Sequence, residues 1–140
     1  MRAGRMLLRL VVGWYSTAQA QEAPPEHPIN RALSACLDKD YTTVGMIDGA
    51  NTAYDNWDGE LSKQYRALLV KLSPAGAAKL KDSQRKWLAF RVTEFALIDS
   101  IYAKLEGSVW LPTIVMDKSI ITEERTLRLQ FRNAMADERS

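Results

Sequence analysis

The stretch Ser83–Arg91, with the sequence SQRKWLAFR, decides the fold because it shows which period the chain follows. Gln84, Trp87 and Arg91 recur at steps of three and four residues, the spacing that places side chains on one face of an α-helix. The alternation typical of a strand occurs nowhere in the sequence. We therefore predict an all-α protein, in which this helix carries an amide and a guanidinium where core residues are expected.

The apolar residues around this stretch extend the helical pattern in both directions. The third helix is predicted from Pro74 to about Glu106, with Ser73 as its cap and Gly107 as its stop. Its stripe consists of Leu80, Gln84, Trp87, Arg91, Phe95, Ile98, Tyr102 and Leu105. The second helix is predicted to begin near Thr42 or Thr43. Its stripe consists of Met46, Ala50, Ala53, Trp57, Leu61, Tyr65, Leu68 and Leu72.

Two shorter helices complete the predicted domain. One is expected over about 29–38 and the other over about 117–134, where one face carries Ile120, Glu124, Leu127 and Phe131. Residues 107–112 are predicted to form a loop because Gly107 and Pro112 bracket them. The sequence thus predicts a small antiparallel domain of two long helices and two shorter ones, joined by short loops.

The first 20 residues differ from the rest of the chain. Arg2, Arg5 and Arg9 precede an apolar run over 10–15, and Ala18-Gln19-Ala20 fits the small-x-small pattern that signal peptidase cuts. We expect a secretory signal over 1–20, a proline-rich linker over 21–28 and a helical domain over 29–135, with the mature chain periplasmic or secreted. Because Arg9 interrupts the apolar region, a disordered cytosolic extension is the alternative.

Removal of this segment changes the charge balance. The chain has 19 basic and 17 acidic residues, and three basic but no acidic residues lie in the first 20, so the remainder has a net charge of −1 with histidine neutral. No basic surface is left to indicate a nucleic-acid partner. No apolar stretch approaches the ~20 residues that span a bilayer. Cys36, the single cysteine, has no internal disulfide partner, and burial is favoured over pairing between chains.

The sequence carries no pattern typical of catalysis or metal binding. His27, the single histidine, lies between prolines and is expected to be a solvated loop residue. Cys/His spacing for zinc and a glycine-rich phosphate loop are both missing. We therefore expect no enzymatic activity and no cofactor. A basic cluster on the third helix is expected to be a solvated face because Asp82 lies within it. That cluster comprises Lys79, Lys81, Arg85 and Lys86.

The polar residues on the third helix need partners if they are buried. A buried guanidinium raises the free energy by several kcal/mol unless a carboxylate and further acceptors surround it. Arg91 can reach Glu94 one turn further on, or Asp55 or Asp58 if the second and third helices pair. A network that fixes helix register and a set of ligand contacts both account for this pattern. The physical argument favours the network.

These segments together resemble the lysozyme inhibitor LprI-like N-terminal domain family, whose members are small exported helical proteins. The resemblance runs from about residue 30 to 131 and is carried by MIDGANTAYDNWDGELSKQYRALLVKL, SQRKWLAFR, IDSIY and ITEERTLRL. The motif positions are Trp57, Asp58, Gln84, Arg85, Trp87, Phe90 and Arg91. In many members the cysteine that matches Cys36 pairs with one that matches Gly49, and this partner is missing here.

The resemblance implies a protein that binds and inhibits a lysozyme-type muramidase. Such an inhibitor needs a protruding loop or helix end that enters the glycan cleft and meets the enzyme's two carboxylates. The turn over 38–45 and the loop after the third helix are the candidate surfaces. That loop consists of Gly107, Ser108, Val109, Trp110, Leu111 and Pro112. The alternative is a structural or protein-interaction module of the cell envelope unrelated to lysozyme.

Overall fold

A computed structural model describes residues 25–138, and these form four α-helices and no strand. The helices are α1 (Pro28–Lys39), α2 (Thr43–Lys71), α3 (Pro74–Tyr102) and α4 (Trp110–Asp137). The predicted all-α class is confirmed, but three helices are long and one is short, where the sequence predicted two of each. The signal segment expected over 1–20 lies outside the described residues.

The starts of α2 and α3 are fixed by side-chain caps. Thr42 Oγ1 accepts a hydrogen bond from the Gly45 amide at 3.1 Å, and Ser73 Oγ accepts one from the Gly76 amide at 3.2 Å. Pro74 occupies the first turn of α3. Because the first amides of a helix have no intrahelical acceptor, these caps set both starts, as the sequence predicted.

His27 closes the start of α1 and is not the solvated loop residue that the sequence predicted. Its Nδ1 accepts a hydrogen bond from the Ile29 amide at 3.2 Å. Its ring centroid lies 4.3 Å from that of Trp57, which is 1% exposed. The prediction is wrong because a contact with α2 holds the imidazole, and flanking prolines give no sign of such a contact.

The connection between α3 and α4 differs from the prediction. α3 ends at Tyr102 rather than near Glu106, and Gly107 adopts the left-handed φ of 97° that favours glycine. α4 begins at Trp110, seven residues before the predicted start, so Pro112 lies in its first turn. Proline is tolerated there because the amides of the first turn have no intrahelical acceptor.

α2 and α4 form the central pair of the bundle and run in the same direction. Thr126 Oγ1 donates to the Trp57 carbonyl at 3.3 Å, and Asn133 Nδ2 donates to the Gln64 carbonyl at 2.9 Å. Both bonds join residues 69 positions apart, so the two helices lie in step. The core cluster beside this contact consists of Leu61, Leu68, Leu80 and Leu129.

The buried face of α4 is largely polar, and the sequence prediction for this helix is wrong. Ile120 and Phe131, expected on the core face, are 51% and 64% exposed. The buried residues are instead Pro112, Ser119, Thr122, Arg125, Thr126, Leu129 and Asn133. Two of these polar groups bond backbone carbonyls of α2, which is why they can occupy the face that an apolar pattern would normally mark.

α3 packs more loosely than α2 and α4. Of its 29 residues, Leu80 and Ile98 are buried, and Trp87 and Phe95 on the predicted stripe are half-buried. Cys36 on α1 is half-buried with a free thiol, so the predicted burial is only partial. No helix within residues 25–138 is long and apolar enough to cross a bilayer.

Candidate functional site

The pair that joins α2 to α3 consists of Asp58 and Arg91. Arg91 Nη1 donates to Asp58 Oδ1 at 2.5 Å, which confirms the predicted carboxylate partner and selects Asp58 from the three candidates. The Arg91 side chain is 19% exposed and that of Asp58 is 44% exposed. Because water reaches the carboxylate, this pair is half-buried, and the free energy of breaking it is smaller than for a pair sealed in the core.

Two guanidinium groups lie close to the ring of Trp87. The Arg91 guanidinium carbon is 5.0 Å from the Trp87 ring centroid, and that of Arg125 is 5.7 Å away. A cation within about 6 Å of an indole face is attracted by the ring quadrupole. Trp87 therefore connects the motif arginine of α3 with an arginine of α4, which the sequence analysis did not single out.

Arg125 and Gln84 form the polar link between α3 and α4. Gln84 Oε1 accepts from Arg125 Nε at 3.1 Å and from Nη2 at 2.9 Å, and Ser83 Oγ accepts from Nη2 at 3.2 Å. Arg125 is 8% exposed. Burial, followed by the positive charges of Arg132 and Arg128, lowers the pKa of the Arg125 guanidinium from its usual value.

The buried guanidinium of Arg125 is thus held by two neutral acceptors, Gln84 Oε1 and Ser83 Oγ. The polar residues on the core face of the stretch Ser83–Arg91 are thus explained. Gln84 bonds Arg125 of α4, and Arg91 bonds Asp58 of α2. Arg125 could have been found only from its place within ITEERTLRL, because no apolar pattern points to the face it occupies.

The other motif residues lie on both sides of this network. Trp57 is buried, and its indole Nε1 donates to Asn30 Oδ1 of α1 at 3.3 Å. Arg85 points outward and pairs with Asp82 at 2.6 Å. Phe90 is 49% exposed. The motif therefore consists of a cluster that packs the helices together and two residues at the surface.

The predicted partner-binding loop becomes a turn and the first turn of α4. Val109, Trp110 and Leu111 are 58%, 38% and 48% exposed, while Pro112 is buried. The Trp110 ring lies 6.4 Å from that of Tyr102, so it rests partly against the end of α3. Trp110 is therefore a partly covered aromatic group at the surface.

Both candidate surfaces from the sequence lie at the same end of the bundle. α2 and α4 run in step, so the turn before α2 and the turn before α4 lie side by side at that end. Large apolar side chains are exposed at both places. Tyr41, in the turn before α2, is 74% exposed, and Val44, in the first turn of α2, is 68% exposed. We call this surface the end patch. It consists of Tyr41, Val44, Val109, Trp110 and Leu111.

The turn beside the end patch is held by Asp40. Its carboxylate accepts from the Thr42 hydroxyl at 2.7 Å and from the Thr42 amide at 2.9 Å, and these bonds lower the Asp40 pKa. A Cβ at Gly45 would overlap the Asp40 side chain. Glycine at this position therefore lets the Asp40 carboxylate fold back over the start of α2 and fix the turn.

Three kinds of comparison bear on the family. A model of the family described as lysozyme inhibitor LprI matches residues 34–139. Among solved structures, the chain is similar to an uncharacterised protein from Burkholderia thailandensis, with a TM-score of 0.75 and 25% sequence identity. The match covers 82% of this chain and 58% of that one, so the chain spans less than two thirds of that protein's length. No curated protein matches the chain.

Proposed function

Because the chain belongs to the lysozyme inhibitor LprI family, we propose that it is an exported envelope protein that binds and inhibits a lysozyme-type muramidase. The observation that carries this proposal is the family match over residues 34–139. Inhibition requires occupation of a cleft and no catalytic group. Within residues 25–138, no group of three or more His, Cys, Asp or Glu side chains is placed to hold a metal ion.

The end patch is the surface that we propose for the contact. A muramidase cleft accepts sugar rings and carries two carboxylates near the scissile bond. Trp110 offers a flat ring of the amphipathic kind that is enriched at protein interfaces. Its indole N–H has no hydrogen-bond partner among residues 25–138, so it is available to donate to a carboxylate.

The rigidity of this end supports the same assignment. Trp110 rests against Tyr102, and Asp40 fixes the neighbouring turn through Thr42. A group that is already held in one conformation loses little entropy when it binds. The end patch is thus suited to enter a concave site without rearranging.

Export is part of the proposal and rests on the sequence alone. Arginines, an apolar run and Ala18-Gln19-Ala20 precede the domain in the order of a secretory signal. N-terminal sequencing of the protein from an envelope fraction should find Gln21 first. An intact Met1 in that fraction would contradict export through this signal.

The test of the function is a peptidoglycan turbidity assay with the purified chain from residue 21 onward. Lysozymes of different structural classes are each titrated with it. We expect a saturable loss of lytic activity for at least one class. Full activity of every class at a large excess of the chain would contradict the proposal.

A second function, as a protein-interaction module of the envelope, is favoured by a different surface. Apolar side chains are exposed along one face of α4 away from the end patch, with Ile120 at 51%, Leu127 at 40% and Phe131 at 64%. Contiguous exposed apolar surface marks interaction sites. A Phe131→Ser chain that inhibits lysozyme normally but no longer recovers an envelope partner recovered by wild type would assign that surface to the second function.

A further inference from the structure

A groove runs between the second halves of α2 and α4 and the first half of α3, at the end of the bundle opposite the end patch. Its volume is about 430 Å³, within the ~300–1,000 Å³ that is usual for small-molecule sites. Leu68 and Leu80, both buried, lie at its base, and Leu72 and Met135 line it further out. The groove therefore offers an apolar surface, in a volume that a chain of methylene groups can occupy.

The charged side chains of the groove are all cationic. Lys79 of α3 and Arg132 of α4 line it, and no acidic side chain does. Neither cation forms an ion pair with any residue in the range 25–138. The two positive charges are thus left available to a ligand.

The acidic residues nearest in sequence are paired elsewhere. Asp82 binds Arg85 at 2.6 Å and Lys86 at 2.8 Å on the outer face of α3, and Asp137 binds Lys71 at 2.8 Å. The sequence grouped Lys79 with Arg85 and Lys86 in one solvated face. In the structure, the carboxylate of Asp82 neutralises Arg85 and Lys86, whereas Lys79 lines the groove.

A buried cation adds to the positive charge of this region. Ser83 lines the groove, and its Oγ accepts from Arg125 Nη2 at 3.2 Å. Arg125 is bonded to neutral acceptors and forms no ion pair within the described part of the chain. Burial and then the charges of Arg132 and Arg128 lower its pKa. An anion held beside Arg132 would stabilise these guanidinium groups.

We propose that this groove binds a single-chain fatty carboxylate, with its headgroup paired to Lys79 and Arg132 and its chain along the leucines of α2 and α3. The apolar base of the groove would contact the hydrocarbon chain of the ligand, and the two cations without an ion-pair partner in the range 25–138 would bind its carboxylate. A guanidinium binds a carboxylate through two parallel hydrogen bonds.

The capped start of α3 leaves the binding of an anion to side chains. Phosphate sites commonly use free amides at a helix N-terminus. Here the Gly76 amide, which belongs to the first turn of α3 beside the groove, already donates to Ser73 Oγ. The headgroup would therefore be held by the cations of Lys79 and Arg132.

Calorimetric titration of the whole chain with dodecanoate, below its micelle concentration, tests this assignment. Dodecyltrimethylammonium and dodecyl maltoside carry the same chain with a cationic and a neutral headgroup, and acetate carries the headgroup without the chain. We expect saturable binding of dodecanoate alone. Lys79→Gln combined with Arg132→Gln should weaken it at least about tenfold, whereas Arg66→Gln, an exposed arginine outside the groove, should not.

Three results would overturn the proposal. The first is that dodecanoate does not bind. The second is that all three twelve-carbon amphiphiles bind equally, and the third is that the double variant binds dodecanoate as tightly as wild type. Both substituted residues are exposed, so the double variant should fold, and its melting curve checks this. If it does not fold, the Arg132→Gln single variant takes its place. The outcome is independent of lysozyme binding.

Discussion

Cys36 and Gly49 face each other across the contact between α1 and α2. A Cβ placed on Gly49 would lie 3.1 Å from Cys36 Sγ and 3.6 Å from Cys36 Cβ. Disulfides have Cβ–Cβ distances of roughly 3.5–4.5 Å. Positions 36 and 49 therefore have the geometry of a disulfide, and they are the two positions at which the family resemblance implies one. This chain has a cysteine only at position 36.

We predict that Gly49→Cys forms this disulfide without rearrangement. The bridge should stabilise the fold by about 2–4 kcal/mol, because it closes a short loop in the unfolded chain and ties α1 to α2. Thermal melts with and without dithiothreitol measure the effect. Wild type and Cys36→Ser/Gly49→Cys should both be insensitive to reductant. Free thiols in oxidised Gly49→Cys would show that α1 does not dock as described.

Arg91→Ala should lower the free energy of unfolding by about 1–3 kcal/mol. The sequence alone predicted a mostly buried Arg91 paired with a carboxylate, and breaking a buried pair typically lowers stability by ~3–5 kcal/mol. Asp58 is 44% exposed, however, so water can solvate the carboxylate that remains. The lost contact with Trp87 adds to the change.

Arg85→Ala is the matched control for this change. Arg85 also pairs with an aspartate, but its side chain is 80% exposed, so its removal should alter stability by no more than about 0.5 kcal/mol. Urea unfolding of both variants measures the difference. Equal values for the two would mean that Arg91 does not join the helices.

Two buried threonines on α4 should respond in opposite directions to valine. Thr122 Oγ1 is buried with no hydrogen-bond partner among residues 25–138. The single proton of the Thr126 hydroxyl is instead shared between the Thr122 carbonyl at 2.8 Å and the Trp57 carbonyl at 3.3 Å. Thr122→Val should be neutral or raise the free energy of unfolding by up to about 1 kcal/mol. Thr126→Val should lower it by about 1–2 kcal/mol.

The two side chains have the same shape and both are 0% exposed, so packing is matched in this comparison. Guanidinium unfolding gives both values. Destabilisation by Thr122→Val as large as that by Thr126→Val would show that the Thr122 hydroxyl has a partner, such as a buried water.

Glu60 should make the fold sensitive to acid. Gln64 Nε2 donates to its carboxylate at 2.7 Å, and this bond, with a smaller effect of Lys63, lowers its pKa in the folded state. The resulting stabilisation is present above the unfolded pKa of about 4.3 and is lost as the pH falls through the lower folded pKa. Thermal melts between about pH 3 and pH 7 should show that Glu60→Gln loses less stability than wild type as the pH falls.

Asp55→Asn is the control for the loss of a carboxylate from α2. Asp55 lies exposed on the same helix, and its side chain forms no hydrogen bond or ion pair with residues 25–138. Its free energy of unfolding at pH 7 should stay within about 0.5 kcal/mol of that of wild type. A Glu60→Gln pH profile that follows wild type would show that the bond from Gln64 does not persist in solution.

Cap residues in the sequence predicted where α2 and α3 begin. The features that the sequence did not predict depend on contacts between residues far apart in the chain. Thr42 and Ser73 bond amides three residues away, so their roles follow from the sequence itself. The place of His27 depends on Trp57, thirty residues further on, and a proline-rich linker gives no sign of that contact. The start of α4 was missed because a proline in a first turn and a proline in a loop look alike.

The orientation of α4 shows the limit of apolar periodicity most clearly. Ile120, Leu127 and Phe131 have helical spacing, yet they face outward. Thr126 and Asn133 face α2 because backbone carbonyls there accept their hydrogen bonds. Of the candidate site, the pairing of Arg91 was predictable from the rule that buried charge needs a partner. Arg125 was not, because its acceptors are neutral.

The central claim is that the end patch inhibits a lysozyme-type muramidase, and one measurement tests it most directly. The inhibition constant against a lysozyme that wild type inhibits is determined for Trp110→Ala and for Val70→Ala. Val70 is 83% exposed at the opposite end of α2 and serves as the matched control. We predict that Trp110→Ala weakens inhibition by about 10- to 100-fold, as expected for an interface hot spot, and that Val70→Ala leaves it unchanged. Undiminished inhibition by a folded Trp110→Ala chain would contradict the account.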